Sequence, residues 1–242
     1  MSEQIDKTHV RSKKEMVRHG LVIGLPIILG YLPVAITFGV VSSQAGLTLG
    51  QIGAMSVFVY AGASQFMGVN MIAVGAGAIE VIIATFVLNF RHFVMSLSFM
   101  NQLREHSLIR QLPLALTLTD ETFAVASMHT EDGKEKNGIY FYTILFLSAY
   151  AVWVLGSLLG GILGEVLPER LSDSMGIALY ALFIGLLIPS VKQELRVGMI
   201  AIVAMLVNLL CSPFMSTGWS VVMGTIAGGL SGIYFLKEDE HT

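Results

Sequence analysis

Long apolar stretches alternate with short polar ones along almost the whole chain. The apolar stretches predict helices at about residues 19–43, 73–100, 138–164, 175–191, 197–213 and 218–236, with weaker segments at 51–69 and 112–128. A helix needs about 17 to 25 predominantly apolar residues to cross a bilayer, so the longer stretches are long enough to span it. The pattern predicts an all-α, polytopic membrane helix bundle of seven to eight segments.

Composition supports a membrane protein and excludes several other classes. Of the 242 residues, 54% are hydrophobic and 13% charged, whereas soluble domains are about 25% charged. The net charge of −3 does not indicate binding to nucleic acid. The sequence contains no GxxxxGK[ST] loop, so we expect no nucleotide as a partner. The six histidines form no HExxH or other metal-ligand spacing, and GxSxG is absent. We therefore expect no enzyme, no metal and no cofactor.

The charges at the chain ends and in the loops predict the topology. Residues 1–17 form a basic polar tail, residues 18–236 a single transmembrane transport domain, and residues 237–242 a short acidic tail. If all eight segments cross, ten Lys and Arg residues lie inside and three outside. If the 51–69 segment is instead re-entrant, giving seven spans, eight Lys and Arg residues lie inside and five outside. The positive-inside rule favours eight spans, and both arrangements place the N-terminus in the cytoplasm.

Two segments carry features that interrupt helices. Pro33 has no N–H to donate to the Leu29 carbonyl, so we expect a kink or break near residues 30–33. An ordinary proline kink used for packing is the alternative. The small residues 61–65 predict a second break, within 51–69. Lipid cannot satisfy freed backbone groups, so such breaks should face protein or a wet cavity.

Charged residues inside apolar segments are the main candidates for function. Glu80 and Arg91 are eleven residues apart, which places them about 20° apart on one helix face and roughly 16 Å apart along it. Each is costly in lipid, so Arg91 should pair with Asp120 or Glu121. Thr119 is typical of a helix N-cap, so a broken helix should restart there. One acid would pair with Arg91 while the other titrates; a static ion pair with a cap is the alternative.

These features give two groups of candidate site residues. The candidate substrate-binding residues are Tyr31, Pro33, Ser64, Gln65, Asn89 and Arg91. The candidate proton-coupling residues are Asp120, Glu121, Glu80 and His92. Hydrogen bonding between helices would also explain Asn89, and a structural or snorkelling role would also explain His92.

A GxxxGGxxG pattern occurs twice, at residues 156–164 and 224–232. This spacing strips one helix face down to the backbone and allows another helix to approach closely. Close packing is the predicted role. A remnant of a duplicated architecture is the alternative, since many transporters contain internal repeats.

Four stretches together resemble the AzlC family, the large subunits of bacterial branched-chain amino-acid exporters. They are GYLPVAITFG (30–39), YAGASQF (60–66), NFRHFVMSLSF (89–99) and LTDETFAV (118–125). The resemblance implies a bacterial inner-membrane exporter of valine, leucine, isoleucine and in some cases methionine. It also implies a small AzlD-type (YgaH-type) membrane subunit as partner.

The residues and the resemblance together predict a secondary, proton-coupled transporter in contact with membrane lipid. With no nucleotide motif, the energy should come from an ion gradient. A passive channel, an intramembrane enzyme and a structural subunit are the alternatives. A channel would show no concentrative flux, and the costly charges within the membrane argue against a purely structural subunit.

Overall fold

The computed structural model describes residues 11–103, 107–166, 184, 187, 188, 191, 192 and 194–236. The helices are α1 (Lys13–Gln44), α2 (Leu49–Phe58), α3 (Gly62–Ala73), α4 (Ala78–Gln102), α5 (Leu108–Leu116), α6 (Asp120–Met128), α7 (Thr130–Lys134), α8 (Gly138–Val166), α9 (Leu195–Cys211) and α10 (Thr217–Leu236). The described residues contain no strand. This confirms the all-α prediction. Most of the span predicted at 175–191 lies outside the described residues, as do both chain ends.

Three described helices are long and apolar enough to cross a membrane, judged by length and composition. They are Lys13–Gln44, Ala78–Asn101 and Gly138–Gly164. They match the segments predicted at 19–43, 73–100 and 138–164. Helix α1 starts at Lys13, inside the segment assigned to the N-terminal tail, so the helix extends beyond its apolar part.

Helix α1 runs without interruption through both of its prolines, Pro26 and Pro33. The predicted break at residues 30–33 is therefore wrong, and the predicted kink there stays a prediction. A proline removes one hydrogen bond and adds a local clash, but the rest of the hydrogen-bond ladder stays intact. The residues after Pro33 are also anchored, because Ala35, Phe38 and Val40 are all buried.

The two weaker apolar segments each form a pair of short helices. The 51–69 segment is split between α2 and α3, where Tyr60 has a positive φ of 41°. The 112–128 segment is split between α5 and α6. Each of these helices is roughly 14 to 18 Å long, well short of a hydrocarbon core of about 30 Å. The structure confirms the prediction of broken helices for these two segments.

The contacts divide the chain into two compact units. The first comprises Met1–Val34 and Arg91–Gly156. Its core is aromatic: Phe99 packs edge-on against Tyr142, with ring centroids 5.0 Å apart, and also contacts Phe146. Parts of α1, α4 and α8, with all of α5, α6 and α7, build this unit.

The second unit comprises Ala35–Phe90 and Ser157–Thr242 and contains very close helix contacts. A Cβ atom on Gly160 of α8 would lie 2.0 Å from the Ile36 carbonyl oxygen of α1. A Cβ on Gly228 of α10 would lie 2.8 Å from the Cβ of Ala204 in α9. Both GxxxGGxxG segments therefore serve close helix packing, as predicted.

Within the first unit, the start of α1 contacts the loop formed by residues 129–137. The Arg11 guanidinium binds the carboxylates of Asp132 and Glu135, and the Asn137 side-chain amide donates to the Arg11 carbonyl over 2.8 Å. Because these contacts join the start of α1 to this loop, we expect both on the same side of the membrane. An arrangement in which only 51–69 is re-entrant would separate them by about 30 Å of hydrocarbon. The contacts argue against the seven-span alternative.

Cysteine labelling tests this arrangement. We expect single cysteines at the exposed positions Lys14 and Glu131, in a Cys211→Ser background, to react with an impermeant maleimide from the same side of intact membranes. Gln44→Cys is the matched control at the other end of α1, because a helix of 32 residues is roughly 48 Å long. It should react from the opposite side. Labelling of Lys14→Cys and Glu131→Cys from opposite sides would contradict the arrangement.

Candidate functional site

Three residues, 117–119, separate the end of α5 from the start of α6, and two threonines cap the first turn of α6. The Thr119 hydroxyl accepts from the Thr122 backbone N–H over 3.3 Å, while the Thr122 hydroxyl accepts from the Thr119 N–H over 2.9 Å. These reciprocal bonds satisfy backbone donors that the helix itself leaves unpaired. Asp120 and Glu121 occupy the first turn, where the helix dipole favours negative charge. The predicted cap and restart are confirmed.

Asp120 forms an ion pair with Arg91 of α4. The guanidinium Nη2 lies 2.9 Å from the carboxylate Oδ2, which confirms one of the two predicted partners. The two side chains are 46% and 42% exposed, so the pair lies at the surface of the unit. The opposed charges mean that neither residue presents an uncompensated charge.

Glu121 has a different partner, the Tyr31 hydroxyl of α1. Tyr31 donates to Glu121 Oε2 over 2.6 Å, and the Thr119 hydroxyl lies 2.7 Å from the same phenol oxygen. Because a phenol has one proton, Thr119 donates to Tyr31 while Tyr31 donates to Glu121. The Tyr31 ring also packs edge-on against Trp153, with centroids 5.5 Å apart. A chain of hydroxyls thus leads from the α6 cap to the Glu121 carboxylate.

The two neighbouring acids are therefore in different electrostatic settings. Asp120 has a permanent cation beside it, because an arginine does not lose its proton in proteins. The described residues supply Glu121 with a neutral hydroxyl and no ion pair. His92 follows Arg91 and is close enough to Asp120 and Glu121 to interact electrostatically with both.

Among the candidate residues of the first unit, Pro33 is the one that lies on a different face of its helix from the Arg91–Asp120 and Tyr31–Glu121 contacts. It is exposed and lies two residues after Tyr31, which is about 200° around the helix. The structure thus brings together Tyr31, Arg91, Asp120 and Glu121, with His92 nearby, and leaves Pro33 on a different face of α1.

The candidates Ser64 and Gln65 belong to the second unit and close the break between α2 and α3. The Ser64 hydroxyl donates to the Ala61 carbonyl over 2.9 Å. Gln65 accepts from the Ala61 N–H over 3.1 Å and donates to the Ser56 hydroxyl over 3.3 Å. Both side chains are fully buried. Their polar groups bond to the protein, so a structural role is evident, and their assignment to substrate stays a prediction.

Glu80 and Asn89 also belong to the second unit, and each has a buried oxygen that the described residues leave without a hydrogen-bond partner. These atoms are Glu80 Oε2 and Asn89 Oδ1. Gly218 of α10 lies beside Glu80, since a Cβ there would be 2.5 Å from Oε2. Buried oxygens without partners are uncommon in folded proteins, so both atoms mark places where a further group would bind favourably.

The second unit also contains an apolar cavity of about 500 Å³ that the sequence did not reveal. Residues from α3, α4 and α10 line it, among them Met67, Asn70, Leu88 and Val221. The sequence places these residues far apart, and only helix packing brings them together.

A second polar cluster in the first unit was also missed. His19, His129 and Asp132 present their ligand atoms within 4.8 Å of one another. Burial raises the Asp132 pKa, but hydrogen bonds from Arg11, His129 and His19 outweigh it and lower the pKa to about 2. The spacing of His129 and Asp132, three residues apart, was a local signal. His19 is 110 residues away in sequence, so spacing alone could not complete the set.

Comparison with known proteins identifies the family. The model of the family described as AzlC protein matches residues 26–167, which is more than half of the chain. The chain belongs to the AzlC family. The matched range contains Tyr31, Arg91, Asp120 and Glu121, so the ion pair and the hydroxyl chain lie within the family's own region. This confirms the resemblance inferred from the four sequence stretches.

Relatives support this assignment over nearly the whole chain. An uncharacterized membrane protein of Archaeoglobus fulgidus is 31% identical over 231 residues, covering 92% of this chain and 96% of the relative. The inner membrane protein YgaZ of Escherichia coli is 26% identical and covers 86% of each chain. A Bacillus subtilis protein named branched-chain amino acid transport protein AzlC is 21% identical, covering 65% of this chain and 62% of its own. No solved structure matches the chain. Together with the apolar helices, these relatives identify a membrane protein.

The α6 cap can be tested by its effect on stability. Thr119→Ala should destabilise the protein by about 1 kcal/mol, because it removes an N-cap acceptor. For a chain of this size the loss corresponds to a melting temperature lower by about 2–4 °C. Thr119→Ser keeps the hydroxyl and should melt close to the wild type. Equal melting temperatures for Thr119→Ala and the wild type in detergent would show that the cap does not hold α6.

Proposed function

We propose that this AzlC-family protein is a secondary transporter that exports branched-chain amino acids, driven by protons. Valine, leucine and isoleucine are the proposed substrates, with methionine as a further candidate. The family and the name of the Bacillus subtilis relative support the substrate class. The observation that supports the mechanism is the paired arrangement at the α6 restart: Arg91 with Asp120, and Tyr31 with Glu121.

Glu121 is the proposed proton carrier. Asp120 is the counter-ion of Arg91, so a role for Asp120 as carrier would require that ion pair to open in each cycle. Protonation of Glu121 requires only a rearrangement of hydroxyl hydrogen bonds, because Tyr31 and Thr119 can each act as donor or acceptor. A proton can thus bind and leave at Glu121 without breaking an ion pair.

The same site suits the two charged ends of an amino acid. The N-terminus of α6 presents partly positive backbone N–H groups, which favour a carboxylate as they do at the broken helices of other transporters. The carboxylates of Asp120 and Glu121 offer partners for an ammonium group. In this proposal Arg91 holds Asp120 in place and takes part in carboxylate binding only when that pair opens.

The small AzlD-type subunit is the proposed partner. Helix α4 exposes a long series of large apolar side chains, including Ile82, Phe86, Phe90 and Phe93. Lipid or a partner helix would cover such a surface. The proposed location is the bacterial inner membrane with the N-terminus in the cytoplasm, as the basic N-terminal tail predicts.

A passive channel is the alternative. A charged pair and a capped helix restart would serve either class of protein. The classes differ in whether flux can run against a concentration gradient and whether it depends on the proton gradient. We therefore propose coupled transport, and propose no catalytic reaction for the site.

Valine efflux tests the substrate and the coupling together. In a host without its own valine exporters, loaded with a valine-containing dipeptide, co-expression with the small subunit should raise efflux above the vector level. Efflux should proceed against a valine gradient and collapse when a protonophore dissipates the proton gradient. Vector-level efflux with both subunits present would refute the substrate assignment. Efflux that only equilibrates and ignores the protonophore would favour a channel.

Substitution of the acids tests the proposed roles. Glu121→Gln should flatten the pH dependence of valine transport, because the proton-binding carboxylate is lost. Asp120→Asn should change the pH profile less and lower the rate at every pH, because it frees Arg91. Glu131→Gln, a neighbouring exposed acid, is the matched control and should keep the wild-type profile. Wild-type profiles in both Glu121→Gln and Asp120→Asn would rule out either acid as the proton carrier.

A further inference from the structure

We propose that His19, His129 and Asp132 form a binding site for one divalent first-row transition-metal ion of the zinc type. The site lies in the first unit, where the first turns of α1 meet the junction of α6 and α7. It uses none of the residues assigned to transport, so it stands independently of the proposed function.

The three side chains converge on one point. His19 Nε2 lies 3.1 Å from Asp132 Oδ2, and His129 Nδ1 lies 2.8 Å from the same oxygen. Ligands about 2.1 Å from a metal ion are themselves about 3.0 to 3.4 Å apart in octahedral and tetrahedral sites. The two separations from Asp132 are close to these values, and all three ligand atoms lie within 4.8 Å of one another.

The carboxylate is held ready for a cation. Arg11 binds Asp132 through Oδ1, which leaves Oδ2 directed at the two imidazoles. Arg11 is in turn bound by Glu135, whose Oε1 accepts from the Arg11 Nε over 2.9 Å. One guanidinium faces two carboxylates, so the surroundings retain a negative charge that a cation would offset. Hydrogen-bonded carboxylates of this kind are typical of the shell that orients metal ligands.

The two imidazoles are also fixed in orientation. Phe141 is fully buried and contacts both rings, with centroid distances of 5.4 Å to His19 and 5.7 Å to His129. The imidazole planes are inclined by 77°, with centroids 6.0 Å apart. The rings can therefore direct two nitrogen lone pairs at one ion from different directions. Metal binding would require each ring to present the nitrogen that now faces Asp132 as a lone pair, with the ring proton on the other nitrogen.

The ligand set selects the class of ion. Two imidazole nitrogens and one carboxylate oxygen suit zinc and its neighbours, whereas magnesium and calcium prefer oxygen ligands alone. The side chains of His19, Asp132 and His129 are 18 to 32% exposed, so an ion can enter from solvent, and water can complete its coordination. Bound there, the ion would fasten the start of α1 to the 129–137 loop.

Metal titration of the purified full chain, without a histidine tag and after chelation, tests the proposal. We expect about one Zn²⁺ per chain by mass spectrometry of bound metal, a higher melting temperature with Zn²⁺, and visible absorption bands with Co²⁺. Asp132→Asn should weaken Zn²⁺ binding more than about 100-fold, beyond the 10–100-fold cost of losing an outer-shell contact. His129→Ala should do the same. Glu131→Gln, on the same short helix, is the control and should bind normally.

X-ray absorption spectroscopy of the zinc-loaded wild type identifies the ligands of the ion directly. It therefore tests the proposal even if a variant fails to fold. Two imidazoles in the coordination shell would support the site. A shell without imidazole, or normal binding by both Asp132→Asn and His129→Ala, would place the ion elsewhere and overturn the proposal. Absence of saturable Zn²⁺ binding by the wild type would show that the cluster is a hydrogen-bonded contact only, and would equally overturn it.

Discussion

A helix that stops inside an apolar segment leaves backbone groups that lipid cannot satisfy, and this constraint governs the site in the first unit. Between α5 and α6, reciprocal hydrogen bonds between Thr119 and Thr122 satisfy backbone N–H groups at the start of α6. The cap fixes where α6 begins and therefore places Asp120 and Glu121 in its first turn. Arg91 and Tyr31 then each engage one of these acids.

The chain meets the same constraint at a second break with different chemistry. Between α2 and α3, the neutral side chains of Ser64 and Gln65 bond to the backbone of Ala61. Both of these side chains are fully buried and neutral. The α5–α6 break carries two acids and a cation at the surface of its unit. The same structural problem is thus solved with neutral side chains at one break and with charged side chains at the other.

The sequence predicted features that depend on local spacing or on the high cost of a charge in lipid. The Thr119 cap follows from its position before two acids, and the pairing of Arg91 with one of those two acids follows from the need for a counter-ion. The continuity of α1 through Pro33 could not be predicted from local spacing. It depends on the burial of residues after Pro33, which outweighs the loss of one hydrogen bond. The contact between Tyr31 and Glu121 joins residues 90 positions apart, which no local pattern records.

Proton exchange on substrate binding tests the central claim most directly. Valine is added to the purified protein and its small subunit in weak buffer, and the pH change is read with an indicator. The account predicts a valine-dependent proton exchange in the wild type that disappears in Glu121→Gln while valine still binds. The same proton exchange in Glu121→Gln as in the wild type would contradict the assignment of the proton to Glu121.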